Sequence, residues 1–379
     1  MGRPRYTGLM SQTIRPSIQT LPKYVAGKPI EEVQRELGLD RVVKLASNEN
    51  PLGASPHAIA AMQEAVTKIH LYPDASGYEL RHAIAKFYSL ESNQVVLGNG
   101  SDELLTLLGS VYLVPGTEII VGDPTFVRYN AAATITGAKE VRVPLRDDMT
   151  HDLPAMAKAL TEKTRLVFLP NPHNPTGTVV KKAEVDAFLN DLPKGAMLVL
   201  DEAYVEYAAD LPDFPNGLDY VKDGKPVIAL RTFSKGYGLA GIRIGYGLAS
   251  PEVIDAMDRA RPPFNANAVA QAGAVAALED QSHVAASRKV NQEGLDRVAK
   301  IAADMGLRSI PSAANFICVD VQRDDKEVFD ELLKRGVIVR AGGPLGLPQI
   351  IRVSIGTREE MDIFESAFRE VMAATALTS

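Results

Sequence analysis

An α/β fold is the class this 379-residue sequence predicts: a large domain with a mostly parallel seven-stranded sheet flanked by helices, then a smaller α+β C-terminal domain. Three observations predict it. From residue 55 onward, short β-branched runs alternate with longer segments of 3.6-residue period, the pattern of a parallel sheet with crossover helices. The length is about twice that of a typical single domain. Finally, Arg261-Pro262-Pro263-Phe264-Asn265 breaks the pattern, because two successive prolines end a helix.

The expected strands of the large domain are Val95–Leu97, Glu118–Val121, Glu140–Val143, Leu166–Leu169, Met197–Leu200, Val227–Leu230 and Ile242–Leu248. Helical periodicity lies between most of them, over Asp102–Val111, Arg128–Thr136, Met156–Leu160 and Lys182–Leu192. After the double proline come two long helical patterns, Ala268–Leu278 and His283–Met305. Asn315–Val321, a helix around Lys326–Leu333, Val337–Arg340, Ile350–Ile355 and a last helix from Arg358 then form the compact α+β unit. The expected division is residues 1–46 as an N-terminal arm and segment packing with the small domain, 47–262 as the large domain and 263–379 as the small one.

Composition excludes several classes. A net charge of −6 without a long basic run offers no electrostatic footprint for nucleic acid. Cys318 is the single cysteine, so no disulfide framework or cysteine metal site is expected, which fits a reducing, cytoplasmic compartment. The apolar stretch Leu104–Pro115 is too short to span a bilayer, so no membrane partner is expected. The basic first thirty residues faintly resemble an organellar presequence. Pro4, Pro16 and Pro22 break any amphipathic helix there, and an N-terminal arm is the preferred reading.

Three expected strands of the large domain run into polar clusters, and open α/β sheets bind ligands beyond their strand C-termini. In Leu169-Pro170-Asn171-Pro172-His173-Asn174-Pro175-Thr176-Gly177 the prolines favour an extended turn that presents the Asn174 amide, although an Asx turn explains Asn174 equally well. In Val199-Leu200-Asp201-Glu202-Ala203-Tyr204 an apolar strand ends in a carboxylate. If buried, Asp201 needs a cationic partner, and Tyr204 can aim at the same ligand; a surface aspartate is the simpler alternative. In Ala229-Leu230-Arg231-Thr232-Phe233-Ser234-Lys235 a lysine follows the strand. Desolvation near other cations would make Lys235 a nucleophile able to form a Schiff base with an aldehyde. Arg243, between Ile242 and Ile244, suits a phosphate, or else an interstrand ion pair.

A fourth cluster, Leu97-Gly98-Asn99-Gly100-Ser101-Asp102, reads as strand, glycine turn and helix start, with Ser101 or Asp102 as N-cap. That is a phosphate seat or an ordinary capped helix. Gly236-Tyr237-Gly238-Leu239-Ala240-Gly241 matches a dinucleotide fingerprint but precedes a strand rather than a helix, so it is set aside. The six histidines are scattered, and no metal site is expected. Together the clusters ask for one ligand with a phosphate, a phenolic oxygen, a ring cation and an aldehyde, which is pyridoxal 5′-phosphate.

N-P-H-N-P-T-G, D-E-A-Y and T-F-S-K-G-Y-G-L-A-G-I-R-I-G-Y resemble the fold-type-I pyridoxal-phosphate aminotransferases, specifically the histidinol-phosphate aminotransferase family. The likeness extends to L-A-S-N-E-N-P-L-G at 45–53, L-Y-P-D at 71–74 and I-R-V-S-I-G at 351–356. It implies a homodimer of histidine biosynthesis that exchanges the amino group of L-histidinol phosphate with 2-oxoglutarate. Lys235 would bind the cofactor and move a proton between Cα and C4′. Asp201 would pair with the pyridinium nitrogen, and Asn174 and Tyr204 with the phenolic oxygen. Gly100, Ser101, Ser234 and Arg243 would hold the phosphate, with Tyr72 reaching the neighbouring subunit's cofactor. Phe126 stands where the family usually stacks a tyrosine, which keeps the ring face and loses the hydroxyl. Tyr24, beside Lys23 where proline is common, belongs to the arm at the substrate site. Arg340 and Arg352 match the family's arginines for carboxylate and phosphate. The alternatives are an aromatic amino-acid aminotransferase, a lyase resembling threonine-phosphate decarboxylase and, weakest, a cofactor-bound non-catalytic domain.

Overall fold

A computed structural model describes residues 14–19, 21 and 28–375; Lys23 and Tyr24 lie outside the described residues. In chain order the strands are β1 (Val43–Lys44), β2 (Val95–Gly98), β3 (Glu118–Asp123), β4 (Lys139–Pro144), β5 (Thr164–Pro170), β6 (Met197–Asp201), β7 (Val227–Thr232), β8 (Gly245–Leu248), β9 (Arg308–Ile310), β10 (Phe316–Asp320), β11 (Val337–Ile338), β12 (Arg340–Ala341) and β13 (Ile350–Ser354). The large sheet has the order β2-β8-β7-β6-β5-β3-β4. Only β8 runs antiparallel to its neighbours; the other pairs are parallel.

The central strands read as near-continuous apolar runs because both faces of the sheet are covered. Alternation along each strand divides its side chains between two cores. Phe168 and Val199 pack on one face with Leu104, Leu105 and Leu108 of the helix Ser101–Tyr112. Val167, Leu169, Leu198 and Leu200 pack on the other with Val185 and Phe188 of the helix Lys182–Asp191. The register that pairs Pro170 with Asp201, and Asp201 with Leu230, brings the C-terminal ends of β5, β6 and β7 to one edge. This edge carries the three polar clusters.

The smaller body is built on the antiparallel sheet β12-β13-β10-β9 and the parallel pair β1-β11. Its core joins Val319, Val337, Ile351 and Val353 to Phe364 and Phe368 of the C-terminal helix Arg358–Thr375. Val33, Val42 and Ala46 pack against Ile338, so the described part of the N-terminal segment belongs with this body.

The structure departs from expectation at several places, and the strand expected over Val337–Arg340 is divided between β11 and β12 in two different sheets. The helix Ala268–Glu279 packs with the large body: Ala270, Ala274 and Leu278 share a core with Leu80 and Ile84. The following helix, Gln281–Asp304, begins in that core at Val284 and ends among small-body residues at Leu295, Val298 and Ile301. By packing, the change of body falls inside this helix rather than at 262/263, since prolines end a helix without ending its neighbours' contacts. The strand expected over Ile242–Leu248 starts only at Gly245, because a 3₁₀ turn occupies Ala240–Ile242. The N-cap of the helix Ser101–Tyr112 is Gly100, not Ser101 or Asp102; Asp102 instead pairs with Arg128.

Candidate active site

The segments that follow β5, β6 and β7 each bring a functional group to the edge of the sheet. Lys235 follows β7, and its ammonium Nζ donates to the Ser47 carbonyl at 3.1 Å. Burial lowers the Lys235 amine to about 8, and the nearby Arg352 guanidinium pushes the same way, with Glu49 opposing. The sequence-level condition for a nucleophilic lysine, desolvation beside other cations, is thus met. The amine lies 5.8 Å from the centre of the Tyr204 ring.

Asp201 ends β6 and is buried. Burial pushes its carboxyl up to about 6, against a hydrogen bond from the Tyr129 hydroxyl to Oδ2 at 2.7 Å. Its other oxygen, Oδ1, is buried with no hydrogen-bond partner. A carboxylate ionised at neutral pH, buried and half-satisfied is costly, and the chemistry that relieves it is a cationic N–H. The surface-aspartate alternative is thereby excluded.

At the same edge, beyond the C-terminal ends of β2 and β7, is an anion cradle. Gly100 has φ 75°, a backbone conformation that favours glycine, and its Cα faces the Arg243 guanidinium, which a Cβ there would displace. Arg243 itself adopts φ 59°, uncommon for a residue with a side chain. It donates to Ser234 Oγ at 3.3 Å and to the Ala240 carbonyl at 3.1 Å, a hydroxyl and a carbonyl rather than the carboxylate of an interstrand ion pair. The free N–H groups at the start of the helix Ser101–Tyr112 complete the cradle.

Asn174 is not held in an Asx turn. The 171–177 segment forms a compact turn rather than an extended one, with the Gly177 N–H donating to the His173 carbonyl at 2.7 Å. Asn174 Oδ1 accepts from Arg352 at 2.9 Å. Arg352 also donates to the Ala46 carbonyl at 3.2 Å and lies 4.9 Å from the Phe316 ring centre. Arg340 stands directly opposite Arg352 in the β12–β13 register, so the two side chains share one face of the small sheet. Phe126, half-buried, meets Tyr129 edge-on at 5.8 Å. Tyr72 is outside this cluster: it is 83% exposed, with its ring stacked 4.7 Å from that of Phe264.

Several residues of the site escape a reading by motif. Tyr129 orients Asp201, although it lies in a helix whose periodicity marks it only as core. Asn48 donates to the Tyr204 hydroxyl at 3.0 Å, accepts from Ser354 Oγ at 2.8 Å and takes φ 55°. Its presence in the 45–53 motif was the available signal. Glu206 has both carboxylate oxygens buried and unpartnered, and burial raises it to about 8, a neutral acid at pH 7.

A desolvated amine, a buried carboxylate with one open oxygen and an anion cradle, all at the C-terminal edge of a mostly parallel sheet, define the class I and II aminotransferases, and the family model "Aminotransferase class I and II" matches residues 40–368. The chain is 51% identical over 360 residues to the histidinol-phosphate aminotransferase of Moorella thermoacetica, covering 95% of this chain and 93% of that one. It is 47% identical to the namesake enzyme of Anaeromyxobacter sp., covering 95% and 99%. The crystal structure of histidinol-phosphate aminotransferase from Sinorhizobium meliloti in complex with pyridoxal-5′-phosphate superposes with a TM-score of 0.88 at 32% identity, covering 96% of this chain and 98% of that one. The chain belongs to the histidinol-phosphate aminotransferase family.

Proposed function

We propose that the protein binds pyridoxal 5′-phosphate and transfers the amino group of L-histidinol phosphate to 2-oxoglutarate, as a cytoplasmic homodimer in histidine biosynthesis. The cofactor reading rests on fit. The open Oδ1 of Asp201 suits a ring N–H, and the Gly100–Arg243 cradle suits a phosphate. Gly100 and Ser101, through backbone N–H groups, with Ser234 and Arg243 would hold that phosphate. Asn174 and Tyr204 would bond the phenolic oxygen, and Phe126 would cover the ring face. Bound there, the cofactor supplies an electron sink for charge developing at the substrate Cα. Lys235, its amine lowered to about 8, would be the base that takes the substrate Cα proton and returns it, a role suited to an amine that titrates near working pH. In the amino-acid biosynthetic setting no membrane attachment is invoked, and no described helix is long and apolar enough to cross a membrane.

The observation that carries the substrate reading is the pairing of Arg340 with Arg352 on one sheet face. Two planar forks suit the phosphate of the donor and the carboxylates of the acceptor alike. A charge-assisted contact of this kind is worth roughly 1.5–3 kcal/mol, about one to two decades in binding. Arg340→Gln is therefore expected to weaken histidinol phosphate by that factor while barely changing phenylalanine, measured by half-reaction titration with each donor. Arg352→Gln should impair both half-reactions. Equal effects of Arg340→Gln on the two donors would favour the aromatic amino-acid reading instead.

The dimer reading rests on Tyr72, whose ring projects from the surface beside exposed Ile69, Leu71 and Phe264. Such an apolar patch suits a second copy of the chain. A Tyr72→Ala chain and a Lys235→Ala chain, each nearly inactive alone, should recover activity when co-folded, since one hybrid site is intact. Proven heterodimers without recovery would remove Tyr72 from the neighbouring site.

A further inference from the structure

The inference concerns what holds Arg340 in place, and it rests on the reading that Arg340 meets the donor phosphate. Asp324 and Asp325 open the helix Asp325–Lys334. Asp324 alone performs the capping, accepting the Glu327 N–H at 2.9 Å. Asp325 is buried, and its carboxylate turns away to the loop between β12 and β13. There Oδ2 accepts the Gly343 N–H at 2.8 Å and Oδ1 accepts the Gln349 N–H at 3.0 Å. One carboxylate thus ties the outgoing arm, three residues past Arg340, to the returning arm, three residues before Arg352.

The same loop touches the large body. Gly346 has φ 79°, and a Cβ there would lie 2.8 Å from Pro124 Cβ, two residues before Phe126. Leu347 is buried with Ile310, Cys318 and Ile350. The loop is therefore anchored by Asp325 on one side and by Pro124 on the other, with Arg340 at its root.

We propose that Asp325 is a positioning residue for donor recognition: by clamping both arms of the 342–349 loop it holds Arg340 opposite Arg352 at the height of the donor phosphate. A carboxylate is the side chain for this task because it accepts on both oxygens and donates on neither. Asparagine keeps the shape but turns one acceptor into an NH₂ that faces an N–H.

The test uses the cofactor-loaded enzyme. Asp325→Asn is expected to raise KM for histidinol phosphate about three- to tenfold, the range for one weakened charge-assisted contact, and to leave kcat and KM for phenylalanine within about twofold. Amide hydrogen exchange over 342–350 should accelerate in the same variant. In an Arg340→Gln background Asp325→Asn should add nothing further to the histidinol-phosphate KM, because the group it positions is gone. Equal losses with both donors, unchanged loop exchange, or full additivity with Arg340→Gln would each overturn the proposal. Should Asp325→Asn fail to fold, Gly346→Ala, which disturbs the other anchor, must show the same donor selectivity or the proposal falls. If Arg340→Gln leaves histidinol phosphate unaffected, the substrate reading fails. If it weakens that donor and Asp325→Asn does not, Asp325 alone loses its role.

Discussion

Lys235→Ala is expected to lower transamination by at least about four orders of magnitude, the largest effect of any single substitution in this chain. Positioned proton transfer alone contributes roughly 10²–10⁴-fold, and on the proposed reading the same amine would also anchor the cofactor's carbonyl covalently. Lys235→Arg should be nearly as damaging, since a guanidinium retains the charge and does not release its proton. The comparison separates loss of a base from loss of a cation. A pH dependence accompanies the assignment. With the amine lowered to about 8, the neutral form that attacks a carbonyl falls about tenfold for each pH unit below that value. Cofactor uptake by the cofactor-free protein, followed by absorbance, should quicken up to pH about 8 and then level off. A variant with normal turnover, or uptake that still climbs steeply to pH 10, would remove Lys235 from this role.

Asp201→Asn is expected to cost about 10²–10³-fold in kcat, because an amide would not stabilise a cationic ring nitrogen as the carboxylate proposed to face it would. The same substitution should stabilise the cofactor-free protein. Asp201 has a folded-state value raised to about 6 from its ordinary 3.8, so the wild type loses stability as pH rises through that window. The loss is on the order of 3 kcal/mol, which the asparagine variant does not incur. Thermal unfolding of both cofactor-free proteins at pH 4 and pH 7 checks this: their difference should grow toward pH 7. Near-wild-type turnover, or a stability difference independent of pH, would contradict the placement of a buried carboxylate against a cation. Activity held at the expense of stability is the usual signature of a charge kept for a ligand.

Much of the site was legible without coordinates because its groups sit at the ends of apolar strands. A run such as Val199-Leu200 announces a buried strand, and the polar residue that ends it must emerge at the sheet edge. Asp201 and Lys235 are such residues, so local pattern located them. Arg243 was found by its composition context but given the wrong backbone: the strand begins two residues later, and Arg243 adopts a left-handed turn that no β-branched pattern signals. Gly100 was recognised, yet its work as N-cap and as clearance for the Arg243 guanidinium depends on a neighbour 143 positions away.

By itself, the sequence determined the alternation of strand and helix, the order of the motifs and which lysine, aspartate and arginine stand at the ends of the apolar strands as candidates for the site. These follow from local rules: side-chain period, proline and glycine geometry, and the cost of burying charge. Only the tertiary structure decided that Tyr129 orients Asp201, that Asn48 holds the Tyr204 hydroxyl, that Arg340 faces Arg352, and that Asp325 clamps the loop between them. It also moved the change of body into the helix Gln281–Asp304. The physical reason is common to all of these. Each depends on register or packing between segments distant in the chain, and neither propensity nor periodicity encodes which distant partner a side chain will meet.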